Sequence, residues 1–282
     1  MAVNDDLLLR LIQAVEALGR RAPTLHPPEG EARAWRYRGR PARFEPVQRL
    51  SPLRLEDLRE IDAQRERFAR NLAQFAQGRS FNHVLLSGAR GTGKSSLVKA
   101  GLNAWPALHL VEIDRNDLAD LPEVLDALAQ RPERFVVFCD DLSFEAGDAG
   151  YKSLKSALDG TVSAASERVL LIATSNRRHL MPEHFRDNLE ARGRGPDGEI
   201  HPGETVEEKV SLSERFGLWI SFYPFSQDEY WAIARQWLIA MGVPEGRLEA
   251  LRQPALVWAL ERGSRSGRVA YQFARDVAGQ TA

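Results

Sequence analysis

The chain has 282 residues, of which 43% are hydrophobic and 27% charged, and its formal net charge at pH 7 is −1. These values are typical of a globular protein with a sizeable core, and the neutral balance excludes a general electrostatic attraction to nucleic acid or membrane surfaces. Cys139 is the single cysteine, which excludes an intramolecular disulfide, and no apolar run approaches the roughly 20 residues of a membrane helix, so we expect a cytoplasmic protein with no membrane partner.

The first 54 residues are predicted to form an N-terminal extension. Asn4 is suited to cap an amphipathic helix ending near Arg20, because apolar residues recur there at helical spacing. The segment 35–38 (Trp-Arg-Tyr-Arg) alternates as a strand does, with aromatics on one face and arginines on the other. Residues 31–54 hold seven arginines and two glutamates. They favour either a contact with single-stranded nucleic acid or a solvated strand face whose aromatics lie in the core.

Residues 55–225 are predicted to form an α/β nucleotide-binding core. A charged helix at about 55–77 precedes short apolar runs of the kind found in parallel strands that are covered by helices on both faces. These runs are Val84–Leu86, Leu108–Ile113, Phe135–Phe138 and Val169–Ala173. Residues 187–209 are rich in charge and glycine, and they indicate an insertion between the core and the rest of the chain.

Residues 226–282 are predicted to form a small lid built only from helices. Ser226 and Glu229 have the spacing of a capping box that opens a helix at 227–241. Two more helices are predicted at about 247–262 and 267–279. The predicted fold class is therefore α/β: a P-loop NTPase-like parallel sheet flanked by helices, with a C-terminal all-helical lid.

Residues 88–95 (Gly-Ala-Arg-Gly-Thr-Gly-Lys-Ser) match the P-loop pattern between a predicted strand and a predicted helix. Glycines let backbone N–H groups surround an anion, and the helix N-terminus adds its positive dipole end. Lys94 is expected to reach the β- and γ-phosphates of ATP, and Ser95 to bind Mg²⁺. The predicted cofactor-binding residues here are Gly88, Ala89, Arg90, Gly91, Thr92, Gly93, Lys94, Ser95 and Ser96.

Polar side chains follow two later apolar runs. Asp140 and Asp141 end the run at 135–138, where Asp140 is expected to hold Mg²⁺ and Asp141 to orient or deprotonate the attacking water. Asn176 ends the run at 169–173 and is placed to bond the γ-phosphate or that water. An acidic helix cap at Asp140 and a turn residue at Asn176 are the structural alternatives.

These motifs, in this order along the chain, resemble those of the AAA+ ATPases, together with Ser-Glu-Arg-Phe-Gly at 213–217. More narrowly, the segments 138–145, 173–180 and 211–218 look like those of an uncharacterised bacterial ATP-binding AAA+ family known by a domain-of-unknown-function label. The resemblance implies ATP and Mg²⁺ as cofactors, and a ring-like homo-oligomer acting on an unknown protein or nucleic-acid client. It also implies that Arg215 is an arginine finger at a neighbour's γ-phosphate, and that Arg268 reaches the nucleotide from the lid.

The sequence departs from the AAA+ pattern at the water-activating carboxylate. AAA+ proteins usually have glutamate directly after the first aspartate, and this chain has Asp141. Glu145 is the alternative base, so the predicted catalytic residues are Asp141, Glu145, Asn176 and Arg215.

The function implied is ATP hydrolysis that remodels a macromolecular partner. A nucleotide-dependent switch or loader with negligible turnover, which could act on nucleic acid, remains an alternative. A small-molecule kinase would share the P-loop but would have no use for an arginine supplied by a neighbour.

Overall fold

The computed structural model describes residues 25–144, 148–159, 167–176, 212 and 214–280. In these ranges the chain forms a seven-stranded sheet in the order β2-β1-β4-β5-β6-β3-β7. Only β1 and β2 pair antiparallel, and every other neighbouring pair is parallel. The strands are β1 Ala34–Gly39, β2 Ala42–Pro46, β3 Val84–Gly88, β4 Leu108–Glu112, β5 Arg134–Cys139, β6 Val169–Ser175 and β7 Leu218–Phe222.

Helices cover both faces of this sheet and continue beyond it. Short 3₁₀ turns lie at Leu55–Asp57 and Arg115–Asp120. The described α-helices are α1 Asp62–Ala76, α2 Lys94–Ala104, α3 Leu121–Ala129, α4 Ala149–Leu158, α5 Gln227–Ala240, α6 Glu245–Glu261 and α7 Gly267–Gly279. One buried cluster joins α1, α2 and the three C-terminal helices to one face, and a second joins α3 and α4 to the other. In the described ranges no helix has the length and apolar character needed to cross a bilayer.

The predicted fold class is confirmed: the sheet is mostly parallel, helices flank it, and three helices follow it. The capping box that opens α5 is also present, since Ser226 accepts from the Glu229 N–H and the Glu229 carboxylate accepts from the Ser226 N–H. The predicted helix at 55–77 is shorter than expected. Leu58–Ile61 separates a 3₁₀ turn from α1, and Glu60 lies there in the left-handed region with φ 62°.

Two strands were not predicted from the sequence. Strand β7 (Leu-Trp-Ile-Ser-Phe) is short and lies just before the lid. Strand β2 (Ala-Arg-Phe-Glu-Pro) is largely exposed, so it lacks the apolar signal of a core strand. The helix predicted at 4–20 and the insertion predicted at 187–209 lie outside the described residues. The division of the chain at residues 54 and 225 remains a prediction, although β1 and β2 belong to the same sheet as the core strands.

At β1 the arginine-rich segment is a solvated strand face whose aromatic side chains lie in the core, which is the second of the two interpretations of this segment. Trp35 and Tyr37 are each 1% exposed and lie in the core. Arg36 on the opposite face forms an ion pair with Glu112 at 3.1 Å, and Arg38 forms one with Glu45 at 3.0 Å. Glu45 also pairs with Arg43 at 2.5 Å, so the carboxylates on this face offset part of its positive charge, and a contact with nucleic acid remains a prediction.

His83, next to β3, makes the stability of the sheet depend on pH. Its Nδ1 accepts the backbone N–H of Leu171 at 3.1 Å, and burial lowers the pKa of His83 to about 4. An unfolded histidine titrates near pH 6.5, so the unfolded chain binds the extra proton first as the pH falls. Stability from this group is therefore complete above about pH 6.5 and is lost as the pH falls towards 4.

We expect the wild type to lose about 2 kcal/mol more free energy of unfolding between pH 7.5 and 5 than His83→Asn. The asparagine side-chain oxygen can still accept from Leu171, but it does not titrate. Urea unfolding of both proteins at the two pH values measures the difference, and the other histidines cancel because both proteins carry them. Equal losses in the two proteins would contradict the assignment.

Candidate functional site

The glycine-rich turn at 88–93 connects β3 to α2. Gly88, Gly91 and Gly93 have φ values of 123°, 72° and 100°, a region that side chains with a Cβ rarely adopt. At Gly88 a Cβ would also lie 1.9 Å from the carbonyl oxygen of Phe222 on β7. The chain therefore turns sharply from the strand and enters α2 at Lys94, which leaves the N-terminal turn of that helix at the carboxyl edge of the sheet.

Lys94 is buried at the start of this helix, with 6% of its surface exposed. Its Nζ donates to the carbonyl oxygens of Gly88 at 2.8 Å and Ala89 at 2.7 Å, and to Oδ1 of Asn176 at 3.0 Å. Burial lowers the pKa of Lys94 to about 8, although the carboxylates of Asp140 and Asp141 act in the opposite direction. These three acceptors are neutral, so a bound anion would stabilise the ammonium further.

Asp140, directly after β5, is joined to two hydroxyl groups. Ser95 Oγ donates to its Oδ1 at 2.6 Å, and Thr174 Oγ1 donates to the same oxygen at 2.5 Å. Hydroxyl and carboxylate oxygens are ligands that Mg²⁺ accepts, with further positions filled by water and phosphate oxygens. In the described part of the chain no group of three or more His, Cys, Asp or Glu could hold a metal by itself. The arrangement fits an ion that shares its coordination with a bound phosphate.

Asp141 is held by groups from the strand beside it and from the glycine-rich turn. Its backbone N–H donates to Thr174 Oγ1 at 2.8 Å, its φ is 56°, and its carboxylate accepts from the Asn176 side-chain amide. Arg90 Nη2 lies 3.8 Å from the second carboxylate oxygen. Asn176 therefore hydrogen-bonds both Lys94 and Asp141, so these two side chains lie close together at the end of β6.

Thr174 is the residue at this site that the sequence analysis did not identify. Its hydroxyl bonds both Asp140 and Asp141, and its carbonyl accepts from the Leu142 N–H at 2.7 Å. It is the polar residue two positions before Asn176, in the last part of β6. Polar residues within an otherwise apolar strand end were the available signal.

The lid contacts the glycine-rich turn directly. The Gly267 N–H at the start of α7 donates to the Gly91 carbonyl at 2.8 Å, and a Cβ built on Gly91 would lie 2.8 Å from Ser266 and 3.6 Å from the Cβ of Arg268. The Cβ of Arg268 therefore lies beside the turn, and Arg268 as a whole is exposed. Two other predicted residues lie there as well: Thr92 is buried and donates to the Ala89 carbonyl at 2.8 Å, and Ser96 is half-buried in the first turn of α2.

The structure places the remaining predicted catalytic residues elsewhere or leaves them outside its description. The side chain of Arg215 is 25% exposed, and its Nε donates to the carboxylate of Asp159, just past the end of α4. No sequence pattern indicates this ion pair, and a role of Arg215 at a neighbouring subunit remains a prediction. Glu145 lies outside the described residues.

Comparisons with known proteins agree with this architecture. Residues 30–281 match a family model described as a protein of unknown function (DUF815). Two solved variants of Thermotoga maritima RuvB are similar, each with a TM-score of 0.52. One is 17% identical and the match covers 79% of this chain and 64% of the RuvB chain, and the other is 18% identical with 80% and 65% covered. At this identity the similarity concerns the fold. A search of curated proteins found no match.

Proposed function

The chain belongs to the DUF815 family and has the fold of the AAA+ P-loop ATPases, and on this basis we propose that it binds Mg·ATP and hydrolyses it. The chain spans about 64% of the RuvB chains it resembles. We further propose that it works as a cytoplasmic homo-oligomer that remodels a macromolecular client.

The observation that carries the proposal is the buried ammonium of Lys94 at the start of α2. Burying a charge is costly unless it is compensated, and the three acceptors around Nζ are neutral oxygens. Triphosphate oxygens would supply the missing negative charge at the helix N-terminus, where backbone N–H groups also favour an anion. ATP is therefore proposed to bind with its β- and γ-phosphates at Lys94.

Ser95 and Asp140 would hold Mg²⁺, which when bound supplies positive charge to the phosphate oxygens. In the structure the two side chains already lie 2.6 Å apart. Thr174 keeps Asp140 in place through the same carboxylate oxygen. Ser95 and Thr174 together hold the Asp140 carboxylate, which follows β5, beside the start of α2.

Asp141 and Asn176 are proposed to act on the attacking water. The water oxygen forms a bond to the γ-phosphorus while the bond to the β–γ bridging oxygen breaks, and the water proton passes to Asp141. Asn176 contacts both Lys94 and Asp141, so it can orient the water between the phosphate and the base. The products are ADP and inorganic phosphate. Arg268 would reach the nucleotide from the lid.

Substitution of the two candidate bases tests the proposed chemistry. Asp141→Asn is expected to bind ATP and to lose at least about 100-fold in turnover, because an amide cannot accept the proton and general bases contribute about 10²–10⁴. Glu145→Gln is the matched variant and should keep most of its activity. Phosphate release at saturating ATP measures both. If only Glu145→Gln is inactive, the base is Glu145.

A nucleotide-dependent switch is the alternative function, since its site would bind Mg·ATP with the same residues. Steady-state phosphate release separates the two: sustained turnover supports the ATPase, and tight binding without turnover supports the switch. A kinase would require an acceptor, so phosphate release in its absence also argues against transfer to a small molecule.

A further inference from the structure

Arg90 extends from the glycine-rich turn towards the carboxylate proposed as the base. Its Nη2 lies 3.8 Å from Asp141 Oδ2, while the Asn176 amide donates to Oδ1. The guanidinium and the amide therefore approach different oxygens of one carboxylate, the guanidinium from the turn after β3 as an ion pair and the amide from the end of β6 as a hydrogen bond. Asp141 is therefore bounded on both sides by side chains of the phosphate site.

The backbone at Asp141 is fixed at the same time. Its N–H donates to the Thr174 hydroxyl, the next N–H donates to the Thr174 carbonyl, and its φ of 56° is uncommon for a residue with a Cβ. Strained backbone that persists under such restraints is typical of functional sites.

The ion pair contributes little to folding. The side chains of Arg90 and Asp141 are 79% and 59% exposed, and ion pairs this exposed are weak in water. An arginine side chain also loses conformational entropy when it is held in one position, so Arg90 is not expected to stabilise the turn. Its position beside Asp141 points instead to the reaction.

We propose that Arg90 is a positioning residue for Asp141. This inference rests on the proposed ATPase function and adds to it a residue that orients the base without holding the phosphates. Asn176 donates to one carboxylate oxygen, the Arg90 guanidinium attracts the other electrostatically, and the lone pairs that have no donor can accept from the attacking water. Arg90 also offsets the repulsion between the carboxylate and the approaching triphosphate.

The test combines Arg90→Ala, Arg90→Lys and Asp141→Asn in a double-mutant cycle. Arg252→Ala is the matched control, because Arg252 also forms an exposed ion pair, with Asp228 at 2.8 Å between two lid helices. Single-turnover hydrolysis of radiolabelled ATP gives the rate constants, including those measured in the Asp141→Asn background. ATP affinity is measured by calorimetry with Asp141→Asn and with the double variant, in which hydrolysis is suppressed.

Arg90→Ala should lower the rate about tenfold with the ATP dissociation constant changed less than about threefold, and Arg90→Lys should recover part of the rate. Arg90→Ala should have no further effect on the rate when Asp141→Asn is already present, and Arg252→Ala should match wild type.

A tenfold or greater loss of affinity would instead make Arg90 a phosphate ligand. Additive effects on the rate would mean that Arg90 acts independently of Asp141; either result overturns the inference while leaving the ATPase function intact. A wild type that binds ATP without hydrolysing it overturns both.

Discussion

Arg215→Ala is expected to lower ATP turnover by about 10³–10⁵ while leaving ATP binding unchanged, because an arginine finger contributes to the transition state in that range. The residue comes from the segment just before β7, and in the described structure its Nε donates to Asp159. Removal of a partly exposed ion pair should change the free energy of unfolding little. The loss is therefore measurable as turnover at saturating ATP, with calorimetry as the check on binding.

The same substitution tests whether the site is shared between subunits. If Arg215 acts on a neighbour's nucleotide, turnover per subunit should rise with protein concentration until assembly is complete. Arg215→Ala mixed with Lys94→Ala should regain some activity, because the first protein supplies an intact phosphate site and the second supplies the arginine. Absence of rescue, together with wild-type turnover that does not depend on concentration, would place the complete site within one chain.

Lys94→Ala is expected to weaken ATP binding by at least about 30-fold, since a charge-assisted contact to phosphate contributes about 2–3 kcal/mol. The fold should be retained, because the substitution removes a buried charge whose partners in the structure are neutral acceptors. Isothermal calorimetry with Mg·ATP measures the affinity, and thermal unfolding followed by circular dichroism checks the fold.

Lys99→Ala is the control for this experiment. Lys99 is on the same helix, α2, but its side chain is exposed. It should bind ATP as the wild type does. Micromolar ATP binding by Lys94→Ala would contradict the assignment of the phosphate site.

The sequence pattern is clearest where the residues of the candidate site are consecutive. A P-loop requires glycines, a lysine and a hydroxyl residue at fixed positions between a strand and a helix, so residues 88–95 alone predict its place. Apolar runs followed by Asp140 and by Asn176 could be read in the same way, because the carboxyl ends of parallel strands meet at one edge of a sheet. In the structure β3, β5 and β6 do end together there, with β6 between the other two.

The sequence was less informative where an element is short or where its environment decides its structure. Strand β2 is exposed and has no apolar run, and it forms because β1 offers an antiparallel edge. The predicted helix at 55–77 is interrupted before Asp62. Helix propensity does not reveal this break, since Glu60 adopts a left-handed conformation that few residues other than glycine favour.

The sequence by itself therefore determined the fold class, the glycine-rich turn and the strand ends that carry Asp140 and Asn176, because each depends on a local pattern. Only the tertiary structure decided that Thr174 bonds both aspartates, that Arg90 faces Asp141, and that Arg215 contacts Asp159. These residues are far apart along the chain, and their contacts depend on strand order and on the direction of individual side chains. A single sequence contains no local pattern that specifies strand order or the direction of a side chain, since several strand orders are compatible with the same apolar runs.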